Sequence, residues 1–301
     1  MEDRQIRMGN RSLELSNLDK VFYPETGFTK WDVVDYYSNI ADVLVPHLRD
    51  RPITLKRYPN GVEGQHFYEK SCPSHRPKWV DTVAIRRKRD NKKVNYCLFN
   101  SKSVLLWAAN LANLELHVSL DKRRDIGRPT AVVFDLDPGE GAGLLECAEV
   151  AVRLRELFDD HGVESFAKTS GSKGIQVYIP LNTKVTYGQT NPFARAVARR
   201  LESETPDEVT SNMAKAERKG KVFIDWSQNN QHKTTVGVYS LRGRPRPTVS
   251  TPVTWDEVDR ALAKGDPDAL VFEAHEVLRR VDKKGDLFEP VLKLRQRLPD
   301  L

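Results

Sequence analysis

Two aspartates stand one residue apart at the end of a nearly all-apolar run, Ala131-Val-Val-Phe-Asp-Leu-Asp137, before the turn Pro138-Gly-Glu-Gly141. On a β-strand side chains alternate, so Asp135 and Asp137 share a face. Like charges held that close repel, and burial adds to the cost. A divalent cation offsets both. Hard cations such as Mg²⁺ or Mn²⁺ take carboxylate oxygens and keep positions for substrate phosphates. A charged strand end capped by a turn is the plainer alternative, but Val132, Val133 and Phe134 imply burial right up to the acids. Asp225, ending the expected strand Lys221–Trp226, can supply a third carboxylate. Two ions roughly 3.5–4 Å apart, bridged by carboxylates, activate an attacking oxygen and stabilise a leaving one.

A second stretch, Thr169-Ser-Gly-Ser-Lys-Gly174, is a Gly/Ser-rich turn that offers backbone N–H groups to an anion, with Lys173 adding charge. It lacks the GxxxxGK[ST] spacing of a P-loop and runs into a strand. Alone it reads equally well as a hairpin turn. Beside a metal site the phosphate cradle is favoured, because a nucleoside triphosphate needs both metal and positive donors.

Weaker signals accompany these. His117 shares a strand face with Glu115 and Ser119, although a lone strand histidine is more often a surface or satisfied core residue. Lys30 falls in the first turn of an expected helix, where the macrodipole disfavours a cation unless an anion docks there too. Lys20 could join the same anion pocket, and a solvated lysine is the bland reading. In Phe67-Tyr68-Glu69-Lys70 the rings of a strand point to opposite faces. One is explained by core packing; the other could stack on a base, with Lys70 on a phosphate. Arg242, Arg244 and Arg246, with Lys233 upstream, form a cationic cluster or a solvated loop.

The elements that must position these residues follow from patterning. Thr29 as N-cap with Asp32 opens an amphipathic helix over about 31–49. Strands are expected near 53–58, 80–87 and 94–99, a helix over about 102–112, and a strand over 114–119. After the aspartate strand a helix spans 144–160, with Cys147 on its buried side. Strands over 163–167 and 175–181, a helix near 191–203 and the Asp225 strand follow. Residues 239–247 are too basic and Pro-rich for a regular element. The last 50 residues read as helical and peripheral, and residues 1–12 as polar and mobile. Adjacent strands in mixed order point to an α+β fold with a mixed or antiparallel sheet.

The chain has 301 residues, enough for one large domain or two intimate ones. No apolar run approaches the roughly 18 residues of a membrane span. Its net charge of +6 is compatible with nucleic acid without requiring it. Three scattered cysteines, Cys72, Cys97 and Cys147, form no CxxC, which fits a reducing compartment and argues against structural zinc.

Six stretches in order resemble the polymerase domain of prokaryotic non-homologous end-joining ligase/polymerase enzymes, within the archaeo-eukaryotic primase superfamily. They are Asp19-Lys-Val-Phe-Tyr-Pro24, Lys56-Arg-Tyr-Pro-Asn-Gly61, Val133-Phe-Asp-Leu-Asp-Pro-Gly-Glu-Gly141, Thr169-Ser-Gly-Ser-Lys-Gly174, Phe223-Ile-Asp-Trp-Ser-Gln-Asn229 and Tyr239-Ser-Leu-Arg-Gly-Arg244. The resemblance runs from about Leu13 to Phe288. It implies a primase-polymerase fold with an RRM-like catalytic half (about 115–290) packed against a DNA-holding part (about 13–114) around one cleft. It implies metal binding by Asp135, Asp137 and Asp225. It places His117, Ser172, Lys173, Gln228, Lys233 and Arg242 on the incoming nucleotide. Lys20 and Lys30 fall in the pocket for a DNA 5′-phosphate. Phe67 and Tyr68 fall against the template base at a gap, with Lys70 and Arg244 as further DNA contacts. The sequence departs from the family at Gln176, where its second motif usually ends in histidine, and at Tyr68, where relatives often carry Phe.

The implied function is a template-dependent nucleotidyltransferase that adds NTPs, in preference to dNTPs, to a primer 3′-OH at gaps or broken ends by a two-metal mechanism with Mn²⁺ or Mg²⁺. The implied partners are double-stranded DNA ends and gaps with a 5′-phosphate, a Ku-like end binder and a DNA ligase, with no membrane. The expected location is the cytoplasm, on the nucleoid. A de novo primase, a metal-dependent nuclease or phosphoesterase, and a non-catalytic end-binding module are the rival readings.

Overall fold

The computed structural model describes residues 4–86 and 90–299. The chain divides into two compact units that interleave along the sequence. The first holds residues 1–119, 234–249 and 273–285, and the second holds 120–233, 250–272 and 286–301.

In the first unit the strands Thr235–Val236, Asn113–Val118, Pro52–Arg57, Lys93–Leu98 and Thr82–Arg86 lie side by side in that order, and Phe67–Glu69 also pairs with Pro52–Arg57. All these pairings are antiparallel. The Lys30–Leu48 helix begins at a complete capping box: Thr29 accepts from the Asp32 N–H, and the Asp32 carboxylate accepts from Thr29 N at 2.6 Å. Its buried stripe includes Val33, Tyr36, Tyr37, Ile40 and Leu44 and packs against the Lys102–Asn110 helix.

In the second unit the strand order is Val209–Thr210, Val222–Asp225, Ala131–Pro138, Ile175–Pro180, Phe166–Thr169 and Pro252–Val253. Only the first pair is parallel, so the sheet is mixed. The Leu144–Asp159 helix covers one face, with Phe158 against Phe134 at 5.6 Å between rings. Period-two burial therefore sends Val132, Phe134 and Leu136 toward helices and leaves Asp135 and Asp137 on the opposite face.

Some expectations change. The N-terminal stretch is not loose where it is described: Arg4–Met8 pairs with Arg11–Leu15 in a hairpin anchored by buried Leu13 and Leu15. The strand expected over 163–167 lies at Phe166–Thr169, set by its pairing with Ile175–Tyr178. The helix near 191–203 starts earlier, at Tyr187, because Thr186 and Gln189 form a capping box there. Cys72 and Cys97, whose scatter along the sequence suggests a reducing compartment, are joined in a disulfide that ties the segment after Phe67–Glu69 to the Lys93–Leu98 strand. Cys147 is buried, as its helix face requires.

The turn before Ile175 fits only because Gly174 has no side chain: a Cβ there would lie 2.0 Å from the Leu136 carbonyl oxygen. Gly174→Ala is therefore expected to cost about 1–3 kcal/mol or more through overpacking against backbone. Gly188→Ala, whose Cβ would meet only Thr186 Oγ1 at 3.5 Å, stays near wild type. Thermal unfolding of the two variants checks this; equal melting temperatures would refute it.

Candidate active site

Antiparallel register builds an acidic row across the second unit's sheet. Asp225 lies directly opposite Asp135, Asp135 opposite Gln176, and Gln176 opposite Lys168. Residues directly opposite in an antiparallel pair point to the same face, so these four side chains line up on one face. Asp137, two residues along, shares it. The exposed Asp137 lies at the rim, whereas Gln176 and Lys168 are buried. Gln176 hydrogen-bonds to Asp135, and Lys168 places its Nζ 2.6 Å from Ser250 Oγ.

This row carries more negative charge than its surroundings balance. Burial first, then the neighbouring Asp137, pushes the Asp135 carboxyl from its ordinary 3.8 up to about 7. Asp225 pushes the same way, while the Gln176 hydrogen bond and the Lys168 charge oppose it. The Asp225 carboxylate is turned onto its own chain. Oδ1 accepts from Ser227 N at 2.9 Å and Ser227 Oγ at 2.6 Å, and Oδ2 accepts from Gln228 Nε2 at 2.9 Å. Among the described residues no three His, Cys, Asp or Glu side chains are drawn together tightly enough to hold a metal ion. The donor set nevertheless fits one: carboxylate oxygens on one face, with Asp135 held protonated to near neutrality for want of positive charge.

The Thr169–Gly174 turn is organised by Ser170. Its Oγ accepts from Ser172 N at 3.2 Å and Gly174 N at 3.1 Å, and its N–H donates to the Gly174 carbonyl at 2.8 Å. Gly171 takes the left-handed conformation that this turn requires. Lys173 is exposed at the tip, and Ser172 is half-buried. The turn joins the Lys168 strand to the Gln176 strand, next to the acidic row. Lys233 is exposed at the end of the segment after Asn230.

The remaining expected nucleotide contacts belong to the first unit, gathered on Glu115. Its Oε1 accepts from Tyr58 Oη at 2.6 Å, Lys56 Nζ at 3.0 Å and Gly243 N at 3.1 Å. Its Oε2 faces His117 Nε2 at 2.9 Å and Arg242 Nε at 3.3 Å. Burial alone would raise the Glu115 carboxyl, but the His117 hydrogen bond and the Arg242 and Lys56 charges overcome it and hold it well below the carboxylate range. Burial lowers the His117 imidazole below its ordinary value, so it is neutral and donates its Nε2–H to the carboxylate. Sequence reasoning gave Glu115 only as a neighbour of His117; the structure makes it the centre that fixes His117 and Arg242. It also missed Lys168, read as the start of a turn. The signal was available: a lysine between the apolar Ala167 and a Thr169-Ser170 turn, entering a strand.

The expected DNA contacts also belong to the first unit. Val21 pairs with Thr29, and Lys30 N donates to the Lys20 carbonyl at 2.8 Å, so Lys20 and Lys30 flank one short hairpin side by side. Lys30 is buried, its Nζ 2.6 Å from the Ser16 carbonyl, which excludes a solvated lysine. Lys20 is exposed and reaches Asn60 Oδ1 at 2.9 Å. Phe67 and Tyr68 correct an expectation: neither ring is core, at 44% and 58% exposure. Their three-residue strand lies off the main sheet path, and the rings sit over Arg57 and Lys56 instead. Lys70 and Arg244 are exposed.

The raised Asp135 carboxyl sets a stability prediction. The group is protonated in the fold but ionised in the unfolded chain between about pH 4 and 7, so its contribution is lost as pH rises through about 7. In metal-free protein Asp135→Asn should melt above wild type at pH 8, keep roughly half of that advantage at pH 5.5 and lose it below about pH 4. Lys168→Met should melt below wild type at pH 8, and Lys168→Arg less so. Calorimetry in chelator decides; a pH-independent Asp135→Asn difference would contradict the burial argument.

Comparison with known proteins identifies the family and the fold. The family model described as "LigD, primase-polymerase domain" matches residues 29–288. The multifunctional non-homologous end joining protein LigD of Mycolicibacterium smegmatis is 44% identical over 281 residues, covering 93% of this chain and 36% of that protein. The bifunctional LigD of Bacillus subtilis is 31% identical, covering 91% of this chain and 43% of that protein. The chain thus spans well under half the length of these relatives. A solved structure, the polymerase domain from Mycobacterium tuberculosis Ligase D in complex with DNA, superposes with a TM-score of 0.87 at 41% identity, covering 94% of this chain and 99% of that one. No helix among the described residues is long and apolar enough to cross a membrane. With the primase-polymerase fold and the matching family model together, the chain belongs to the LigD primase-polymerase domain family.

Proposed function

We propose that the chain is a template-dependent nucleotidyltransferase of DNA end joining, extending a primer 3′-OH at gaps or broken ends with NTPs in preference to dNTPs. The observation that supports it most is the placement of Asp225 directly opposite Asp135, with Asp137 on the same face, in a chain of this family. A reaction on phosphate needs positive charge concentrated against such acids.

Asp135, Asp137 and Asp225 would hold Mg²⁺ or Mn²⁺ ions, whose charge would favour the attacking hydroxyl and the triphosphate. The chain's own groups do the rest. The N–H groups of the Ser170–Gly174 turn, with Lys173, present positive charge to phosphate oxygens, and Ser172 adds a hydroxyl. Gln176 hydrogen-bonds Asp135 and cannot become cationic; Lys168, its neighbour across the sheet, supplies charge at the same level. Gln228 holds Asp225 oriented. In the first unit Glu115 presets His117 and Arg242, which the reading assigns to the nucleotide with Lys233. Lys20 and Lys30 suit a DNA 5′-phosphate, and exposed Phe67 and Tyr68 offer π-faces to template bases, with Lys70 and Arg244 on the backbone. DNA ends with a 5′-phosphate, a Ku-like end binder and a separate ligase complete the reading.

A gap-filling assay with NTPs and dNTPs, in Mg²⁺ and Mn²⁺, tests it. Asp135→Ala and Asp137→Ala should abolish primer extension while retaining the wild-type circular-dichroism spectrum; normal extension by either removes the assignment. Lys30→Ala should reduce the preference for a 5′-phosphate over a 5′-OH at the gap severalfold. A preference equal to wild type takes Lys30 out of that role. Loss of DNA nucleotides without pyrophosphate release would point to a nuclease instead.

A further inference from the structure

At the far end of the acidic strand lies a basin of about 600 Å³ lined by Lys122, Arg128, Lys184, Lys293 and Arg295, with Asp125 its one carboxylate. It lies wholly within the second unit and contains none of the residues assigned to metal, nucleotide or 5′-phosphate. Lys293 also pairs with Glu289, but cations crowded into a single hollow still repel one another, at a cost in stability. Among the described residues Arg128, Lys184 and Arg295 enter no ion pair.

The hollow is built, not incidental. Its floor is where the central strands begin and end: Ala131 pairs with Pro180, and both Leu181 N and Asn182 N donate to the Thr130 carbonyl, at 2.8 and 2.9 Å. Asn182 adopts a positive φ of 47° and bonds the Val291 and Leu294 carbonyls through Nδ2, at 3.1 and 2.7 Å. Gln296 fastens the same segment to the Pro180 and Glu164 carbonyls. The Lys122–Arg128 loop is closed by Asp121 accepting from Gly127 N at 2.8 Å. Three separately anchored segments thus present their cations around one space.

We propose that this basin binds the phosphodiester backbone of the primer–template duplex, several base pairs behind the primer end. Charge spread over three segments matches a row of phosphates better than one small anion. Duplex DNA offers a charge per strand about every 3.4 Å of its axis. Four residues of strand separate Ala131 from Asp135, about 14 Å, which corresponds to roughly four base pairs. The choice of DNA as the polyanion, and of this arm of it, rests on the polymerase reading.

The test is equilibrium binding of the full chain to a gapped duplex, without metal or nucleotide, across a salt series. Lys184→Glu/Arg295→Glu should weaken binding about tenfold when the primer arm is about 12 base pairs. It should also flatten the slope of log affinity against log salt by about 1.8, two phosphates' worth. With a primer arm of about three base pairs the difference from wild type should vanish. Lys184→Gln/Arg295→Gln, less disturbing to the fold, should show the same pattern at smaller size. Unchanged affinity and slope in both variants overturn the proposal. So does a loss that persists with the short arm, or one seen only with an acidic polypeptide in place of DNA. Absence of primer extension by wild type would sink the polymerase reading while leaving this binding result to stand or fall separately.

Discussion

The second unit depends on a sheet register that forces like charges together. Once Ala131–Pro138 pairs with Val222–Asp225 on one side and Ile175–Pro180 on the other, Asp135 has no choice but to face Asp225. Slipping the register by one residue would turn every side chain of the strand over and put Phe134 and Leu136 where the acids are. The helix-covered apolar face therefore locks the acids in place, and hydrophobic burial holds a repulsive arrangement that would not form by itself. The buried Lys168 and the Gln176 amide reduce that repulsion without cancelling it, and the uncompensated remainder is what makes the face receptive to cations.

The first unit solves the opposite problem. Glu115 is a single buried carboxylate surrounded by donors, and its ionised form is strongly favoured. The Tyr239–Arg244 stretch is irregular in sequence and has no strand of its own, yet it is fixed: Gly243 N meets Glu115, and the Arg242 carbonyl accepts from Tyr23 Oη at 2.9 Å. A Cβ on Gly243 would fall 2.2 Å from the Tyr58 ring, so the close approach of that backbone is part of the design. One buried charge thus orders a loop that propensity alone would leave open.

Much of this was legible in the sequence because it follows from periodicity. The aspartate strand, the capped Lys30 helix, the Cys147 helix and the irregular 239–247 stretch were read within a residue or two, since alternation and capping are local. What escaped depends on pairing. Lys168 looked like a turn residue because nothing local says that it will stand opposite Gln176. Phe67 and Tyr68 were expected to split between core and surface, but their strand is too short and too peripheral for either face to be covered. The N-terminal hairpin hides behind arginines, two of which lie over Trp31 and Trp79. The Cys72–Cys97 bond joins residues 25 apart, and separation along the chain says nothing about which β-segments become neighbours.

Asn229 shows how closely scaffold and chemistry are joined. Its side-chain amide accepts from Val133 N at 2.9 Å and donates to the Val133 carbonyl at 2.7 Å, imitating one more rung of the ladder where the Asp225 strand has already ended. The run Ser227-Gln228-Asn229 thus splints the central strand with its last amide and steers the Asp225 carboxylate with the hydroxyl and amide before it. Scaffold and carboxylate therefore share one short tether: loosening Asn229 frees the middle of the Asp135 strand and the Ser227 and Gln228 donors together.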